Sequence, residues 1–316
     1  MTGALALLGI QTVLVVALAP LLTGVVRKTK ARLQCRIGAG IFQPYRDIRR
    51  LLRKEVVLAH NASWLFSAAP FFICAATWVA AALVPTFAFD AGLGSVADII
   101  VIVGLLASAR FAQALAGLDI GTSFGGIGSS REMMFATVAE PAMLMLIFSL
   151  ALVAGSTRLA DIAFFVQSPV LGLRISLMLA FVGFAILAIA ENGRIPVDNP
   201  ATHLELTMVH EAMVLEYSGR HLALIELASS IKLLLYFSLL STVFLPWGVA
   251  STGAGVSQYF AAFLLYLAKL FVGAVVLGLF EVTIAKMRVF RVPQFVGVAL
   301  MLGLLAALLR LVSRSM

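Results

Sequence analysis

Mainly apolar runs of about 18 residues or more, the length that crosses a bilayer as a helix, recur along the whole chain. There are eight: Ala4–Val26, Leu65–Phe87, Ala97–Leu118, Met133–Val153, Leu171–Ala190, Leu222–Trp247, Tyr259–Ile284 and Val292–Val312. The fourth is interrupted by Glu140, followed by Pro141. The pattern predicts an all-α polytopic membrane protein of about eight transmembrane helices, residues 1–316 forming a single integral membrane domain. The first run lacks a basic leader and a small-residue cleavage site before a soluble domain, so it reads as a retained helix rather than a signal peptide.

Two polar passages between the runs are long. In the first, Ile48, Leu51 and Leu52 recur at helical spacing from Tyr45 onward, with Arg46, Arg49, Arg50, Arg53 and Lys54 around them. This predicts an amphipathic basic helix lying on the membrane surface after the first span, with Pro44 in its first turn. Such a face suits anionic lipid or the docking of a partner; the docking candidates are Arg36, Gln43, Arg46, Asp47, Arg49, Arg50, Arg53 and, from the second passage, Arg194. That second passage, Glu191–Gly219, carries the carboxylates Glu191, Asp198, Glu205, Glu211 and Glu216, with His203 and His210. Pro196 and Pro200 keep its start out of regular helix, and a helix from Thr202 is expected beyond them.

Composition supports the membrane reading: 62% of the 316 residues are hydrophobic, 12% are charged and the mean hydropathy is +1.06. A soluble domain of this size needs a more polar surface. Charge then sets the topology, because ten Lys or Arg and one acid, Asp47, lie between Arg27 and Lys54. The positive-inside rule places that loop in the cytoplasm. Cytoplasmic loops are therefore expected at about 27–64, 119–132, 191–219 and 285–292, with both termini outside. The net charge of +8 follows mostly from this arrangement and requires no nucleic acid.

Glu140, Glu226, Lys232, Lys269 and Glu281 fall inside apolar runs, where a charge costs on the order of 3 kcal/mol on insertion scales. Each requires a partner or a hydrated cavity. Glu226 and Lys232 lie about 240° apart round a helix and must reach to neighbouring helices. Taken with Glu191, these groups suggest a polar path through the membrane domain. Between the third and fourth runs, Gly121, Gly125, Gly126 and Gly128 suggest a flexible turn, with Ser129 as the cap of the next helix and Glu132 three residues on. No phosphate-loop pattern follows them. Cys35 and Cys74 form no CxxC pair and the four histidines show no HExxH spacing, so neither bound metal nor another cofactor is expected on this chain.

The stretch ARLQCRIGAGIFQPYRDIRRLLRKE resembles the amphipathic loop of the respiratory complex I subunit 1 family, which includes the H subunit of bacterial NADH-quinone oxidoreductase. ENGRIPVDNPATHLELTMVHEAMVLEYSG resembles that family's acidic loop. LDIGTSFGGIGSSRE at Leu118–Glu132, TVFLPWG at Thr242–Gly248 and LFEVTIAKMRVFR around Glu281 resemble the branch of membrane subunits found in group 4 NiFe hydrogenases, the formate hydrogenlyase subunit 4 and hydrogenase-4 type. The resemblance implies a non-catalytic membrane anchor and coupling subunit of an oxidoreductase complex, linking a cytoplasmic redox module to translocation of protons or sodium. It also implies a bacterial or archaeal plasma membrane. The implied partners are hydrogenase-like large and small subunits, an iron-sulfur protein and antiporter-like membrane subunits, with the NiFe centre and iron-sulfur clusters on those partners. By position it points to Glu140, Glu191, Asp198, Glu205, Glu216 and Lys269. The residues themselves add Glu211, Glu226, Lys232, Glu281, His203 and His210, a histidine exchanging protons near neutral pH without a large shift. Arg36-Ile37-Gly38-Ala39-Gly40 stands where the quinone enzymes carry a GPNRVGP-type sequence, which weighs against the alternative of a quinone-site subunit. A stand-alone secondary transporter is the third reading, and no inverted repeat supports it.

Overall fold

The computed structural model describes residues 2–89, 97–167, 175–198, 208–250 and 254–315. Among these the regular structure is helical: α1 Thr2–Leu33, α2 Gln43–Leu52, α3 Trp64–Leu83, α4 Ile99–Asp119, α5 Ser123–Ala154, α6 Leu159–Gln167, α7 Ile175–Glu191, α8 His210–Val214, α9 Gly219–Phe244, α10 Val256–Thr283 and α11 Val292–Ser315. Seven of them, α1, α3, α4, α5, α9, α10 and α11, are long and apolar enough to cross a membrane. The remaining expected span is α7, apolar over 17 described residues. Its expected first residues, Leu171–Arg174, lie outside the described residues. The chain is a multi-pass, all-α membrane protein.

Hydrogen bonds between the connecting segments sort them onto two faces. On one, Ser63 N–H donates to Asp119, Val57 pairs with Ser218, and Met287 N–H donates to the Pro196 carbonyl. On the other, Ala250 pairs with Phe87 and Phe89, Leu159 N–H donates to Ala97, and Gln167 donates to Pro246. The basic and acidic passages thus share a face. α5, α7 and α11 pack together, α3 lies against α4 and α9, and α1 lies against α9 and α10.

α2 forms where the i, i+3 pattern predicted it, with proline in its first turn. It rests on α1 and α9, burying Pro44 and Leu51 while Leu52 stays about half exposed. The four arginines Arg46, Arg49, Arg50 and Arg53 project outward.

Two local expectations are corrected. The glycine passage after α4 is no flexible turn: α5 already begins at Ser123, capped by the Thr122 hydroxyl accepting from Gly125 N–H, and Gly121 (φ +70°) is in the turn. Ser129 is inside the helix, its hydroxyl donating 2.9 Å to the Ala114 carbonyl. The reason is close packing, since a Cβ on Gly125 would collide with the Gly117 carbonyl oxygen of α4. The helix expected from Thr202 is, in its described part, the short α8, with Met208 and Val209 ahead of it non-helical. His203 and Glu205, both site candidates, lie outside the described residues.

Candidate functional site

Four helices converge on Arg110. It sits nine residues before the end of α4, about 14 Å into the protein by the helical rise, and its side chain is 8% exposed. One turn away, Gln113 points the same way and is also buried. The Arg110 guanidinium pairs with Glu191 at the end of α7, lies 3.4 Å from Glu132 and 3.8 Å from Glu140, both on α5, and so links three carboxylates. Glu191 also accepts Lys232 of α9 at 3.2 Å. Lys232 therefore does reach to a neighbouring helix, as its angle to Glu226 required. The result is a chain of ion pairs, Glu140–Arg110–Glu191–Lys232, with Glu132 as a branch. Three carboxylates face two cations, so the cluster is one negative charge in excess when all are ionised. Burial makes Arg110, Glu191, Glu132 and Lys232 costly alone and supportable only in company, while the Glu140 side chain is 47% exposed.

The turn after α7 determines where the rest of the acidic passage goes. Gly193 (φ +54°) closes the helix, with Gly193 N–H on Ala190 O and Arg194 N–H on Ile189 O, a left-handed helix ending. The chain then turns Arg194 towards α1 and α10. There Glu281 is held by Lys30 at 2.6 Å and Arg194 at 3.4 Å. Burial pushes the Arg194 guanidinium down from its ordinary value, opposed by Glu281. Arg194 was a docking candidate; its side chain is 16% exposed and committed inside the fold. Asp198 pairs with Lys286 at 2.9 Å and accepts from His210 N–H at 3.4 Å, so it fastens α8 to the segment after α10.

Two cavities flank these groups. A large one of about 660 Å³ lies between α1, the loop after it, α2 and α9, with Arg27, Arg36, Glu211 and Glu226 among its walls. A small one of about 40 Å³ lies beside Arg110, Glu191 and Lys232, and has room for water. Both are lined by Asn192, His210, Ile225 and Ser229.

Of the sequence candidates, the structure brings together Glu140, Glu191 and Lys232 in one cluster, Asp198 and Glu281 beside the large cavity, and Glu211, Glu226 and His210 on its walls. Glu216 is exposed, one residue before the buried Tyr217. Lys269 is remote, its ammonium donating to the Leu245 and Trp247 carbonyls at 2.5 and 2.6 Å, where it caps the C-terminal end of α9. Arg36 lines the large cavity, and Gln43 donates to Asp47, which Arg50 also approaches. Sequence reasoning missed Arg110 and Glu132 as members of the site. Arg110 had a signal, a lone cation inside an apolar run, which is the same one that exposed Lys232. Among the described residues no group of three His, Cys, Asp or Glu side chains is placed to hold a metal ion.

These features define a class: a polytopic membrane protein that carries a chain of ion pairs between its helices, with water-sized space beside it and the long polar passages gathered on one face. The chain belongs to the NADH dehydrogenase family, whose profile matches residues 5–312. It is 34% identical to formate hydrogenlyase subunit 4 of Escherichia coli (strain K12) over 285 residues, covering 90% of this chain and 92% of that protein. It is likewise 34% identical to hydrogenase-4 component C of the same organism, covering 76% of this chain and 75% of that one. The H subunit of NADH-quinone oxidoreductase from Paraburkholderia phymatum is more distant, 28% identical over 66% of this chain and 62% of its own length. The resemblance read from the loops thus holds along the chain. A chain of the membrane-bound sulfane sulfur reductase, an archaeal respiratory membrane complex, superposes with a TM-score of 0.83 over 98% of this chain and 99% of that one at 17% identity, so the two share a fold.

Proposed function

We propose that this chain is the membrane anchor and coupling subunit of a complex I-like, hydrogenase-type oxidoreductase, in which the Arg110–Glu191 cluster carries the coupling between redox chemistry and ion movement. The observation that supports this most is the ion-pair chain itself: four helices each contribute ionisable groups to one largely buried network beside a water-sized space. Fastening a partner needs no such network. The exposed arginines of α2 and the loops on their face hold the redox module, whose NiFe centre and iron-sulfur clusters sit on hydrogenase-like and iron-sulfur partners, with antiporter-like subunits alongside in the membrane. The basic face is cytoplasmic and both termini are outside, in the plasma membrane of a bacterium or archaeon.

The test is gentle detergent extraction of the tagged protein, mass spectrometry of its co-purifying partners and metal analysis of the same sample. Nickel and iron with a hydrogenase-like large subunit are expected; NADH-oxidising subunits without nickel would overturn the hydrogenase assignment. The large cavity favours one second reading, a quinone site between α1, α2 and α9. That reading predicts reduction of a short-chain quinone by the purified complex and its block by quinone-site inhibitors, and it fails if neither is seen.

A further inference from the structure

We propose that His210 is the proton-carrying junction between the large cavity and the buried ion-pair chain, so that the ion moving through this point is H⁺. The inference rests on the coupling reading above and deepens it. Among the described residues, His210 is the one titratable side chain that lines both cavities; the other shared walls are Asn192, Ile225 and Ser229. On the large-cavity side stand Glu211 of α8, Glu226 of α9 and Asp198, which holds the His210 backbone N–H. On the other side, Glu132 of α5 and the Arg110–Glu191–Lys232 pairs line the small cavity. Two contacts fix the ring's place: Arg131 of α5 donates 2.8 Å to the Met208 carbonyl just ahead of α8, and Gln113 of α4 lies 3.4 Å from the ring at Nδ1.

That amide suits either protonation state. With its proton on Nδ1, the neutral imidazole donates to the Gln113 amide turned to present its oxygen, and Nε2 takes the arriving proton. The imidazolium keeps the same Nδ1–H bond and gives the proton up again from Nε2. One proton enters from the large cavity, one leaves towards the water-sized space beside Glu191, and the ring returns neutral, so the step balances without any other reactant. A sodium ion has no such carrier in a protonated imidazole.

The experiment uses the assembled complex in sealed inside-out membrane vesicles with reduced methyl viologen as electron donor, reading protons moved per electron. His210→Gln is expected to lower that ratio on the order of a hundredfold with the complex intact, and His210→Gly to recover it when imidazole is added. Gln113→Leu leaves the ring but not its amide partner, so it is expected to lower the ratio severalfold; it carries the same prediction should His210→Gln fail to assemble. If Glu191→Gln abolishes translocation while His210→Gln does not, the junction is overturned and the coupling reading stands. If neither changes it, the coupling reading falls and the junction with it. A loss in His210→Gly that imidazole does not restore, with Gln113→Leu unaffected, makes the histidine structural and also overturns the proposal.

Discussion

Glu191 and Glu281 look alike in isolation: each is a glutamate at or near the C-terminal end of a helix, its side chain 4% and 1% exposed, and each is approached by two cations. The difference lies in where their partners lead. Lys30 and Arg194 converge on Glu281 and tie α1, α10 and the turn after α7 into one joint, with the positive charges in excess. Arg110 instead passes from Glu191 to Glu132 and Glu140, so that the acids are in excess and the network extends across helices. The first set of pairs closes on one acid, while the second leads on from helix to helix. Glu281 is thus a fastening and Glu191 a node.

The comparison is broken most directly at Glu281. Glu281→Leu leaves two largely buried cations without their carboxylate, the arrangement that costs roughly 3–5 kcal/mol when one partner of a buried pair is removed. The expected result is poor accumulation in the membrane and a clearly lowered Tm in detergent; a variant that melts with the wild type would show that solvent reaches the joint. Glu191→Gln is expected to cost less stability, because Arg110 keeps Glu132 and Glu140, yet to reduce ion translocation on the order of a hundredfold, the range of a lost acid–base group. A variant that loses assembly before coupling would make the node a fastening too. Glu140→Gln acts at the end of the chain of pairs, where the side chain is 47% exposed on this subunit. It is expected to lower coupling severalfold with assembly and Tm intact, read in the same vesicle assay.

How much of this difference was legible in the sequence depended on contrast with the background. Glu140, Lys232 and Glu281 stood out because a charge in an apolar run is conspicuous, and α2 did because its i, i+3 pattern is set by local geometry. Lys30 was hidden among nine other bases in its passage. Which residue pairs with which was not legible, since every ion pair of both clusters joins different helices or segments and depends on how these turn against each other. The glycines before Arg131 misled for the same reason: their pattern matches a turn, and only the approach of the α4 backbone to Gly125 shows why side chains are absent inside a helix. Lys269 reads as one more intramembrane cation, and only the end of α9 lying opposite makes it a cap.

The smallest effect is expected where the two long polar passages meet, away from both glutamates. Tyr217 stacks on Phe66 with ring centroids 3.9 Å apart and donates 3.0 Å to the Phe66 carbonyl. Burial, and then the Asp119 carboxylate, hold its phenol above the ordinary value, so it stays a protonated donor throughout the working pH range. Next to it, Ser218 Oγ accepts from Val57 N–H and donates to Val57 O, and a Cβ on Gly219, whose φ is +54°, would collide with the Glu55 carbonyl oxygen. These contacts latch the chain after α2 onto the start of α9, the helix that carries Lys232. Tyr217→Phe keeps the stack and loses one hydrogen bond, worth about 1 kcal/mol. Faster amide exchange over residues 55–58 and a slightly lower Tm are expected, with no change in the ratio of protons to electrons. If that ratio falls instead, the latch is itself part of the coupling, and the division between fastening and node no longer follows the two glutamates.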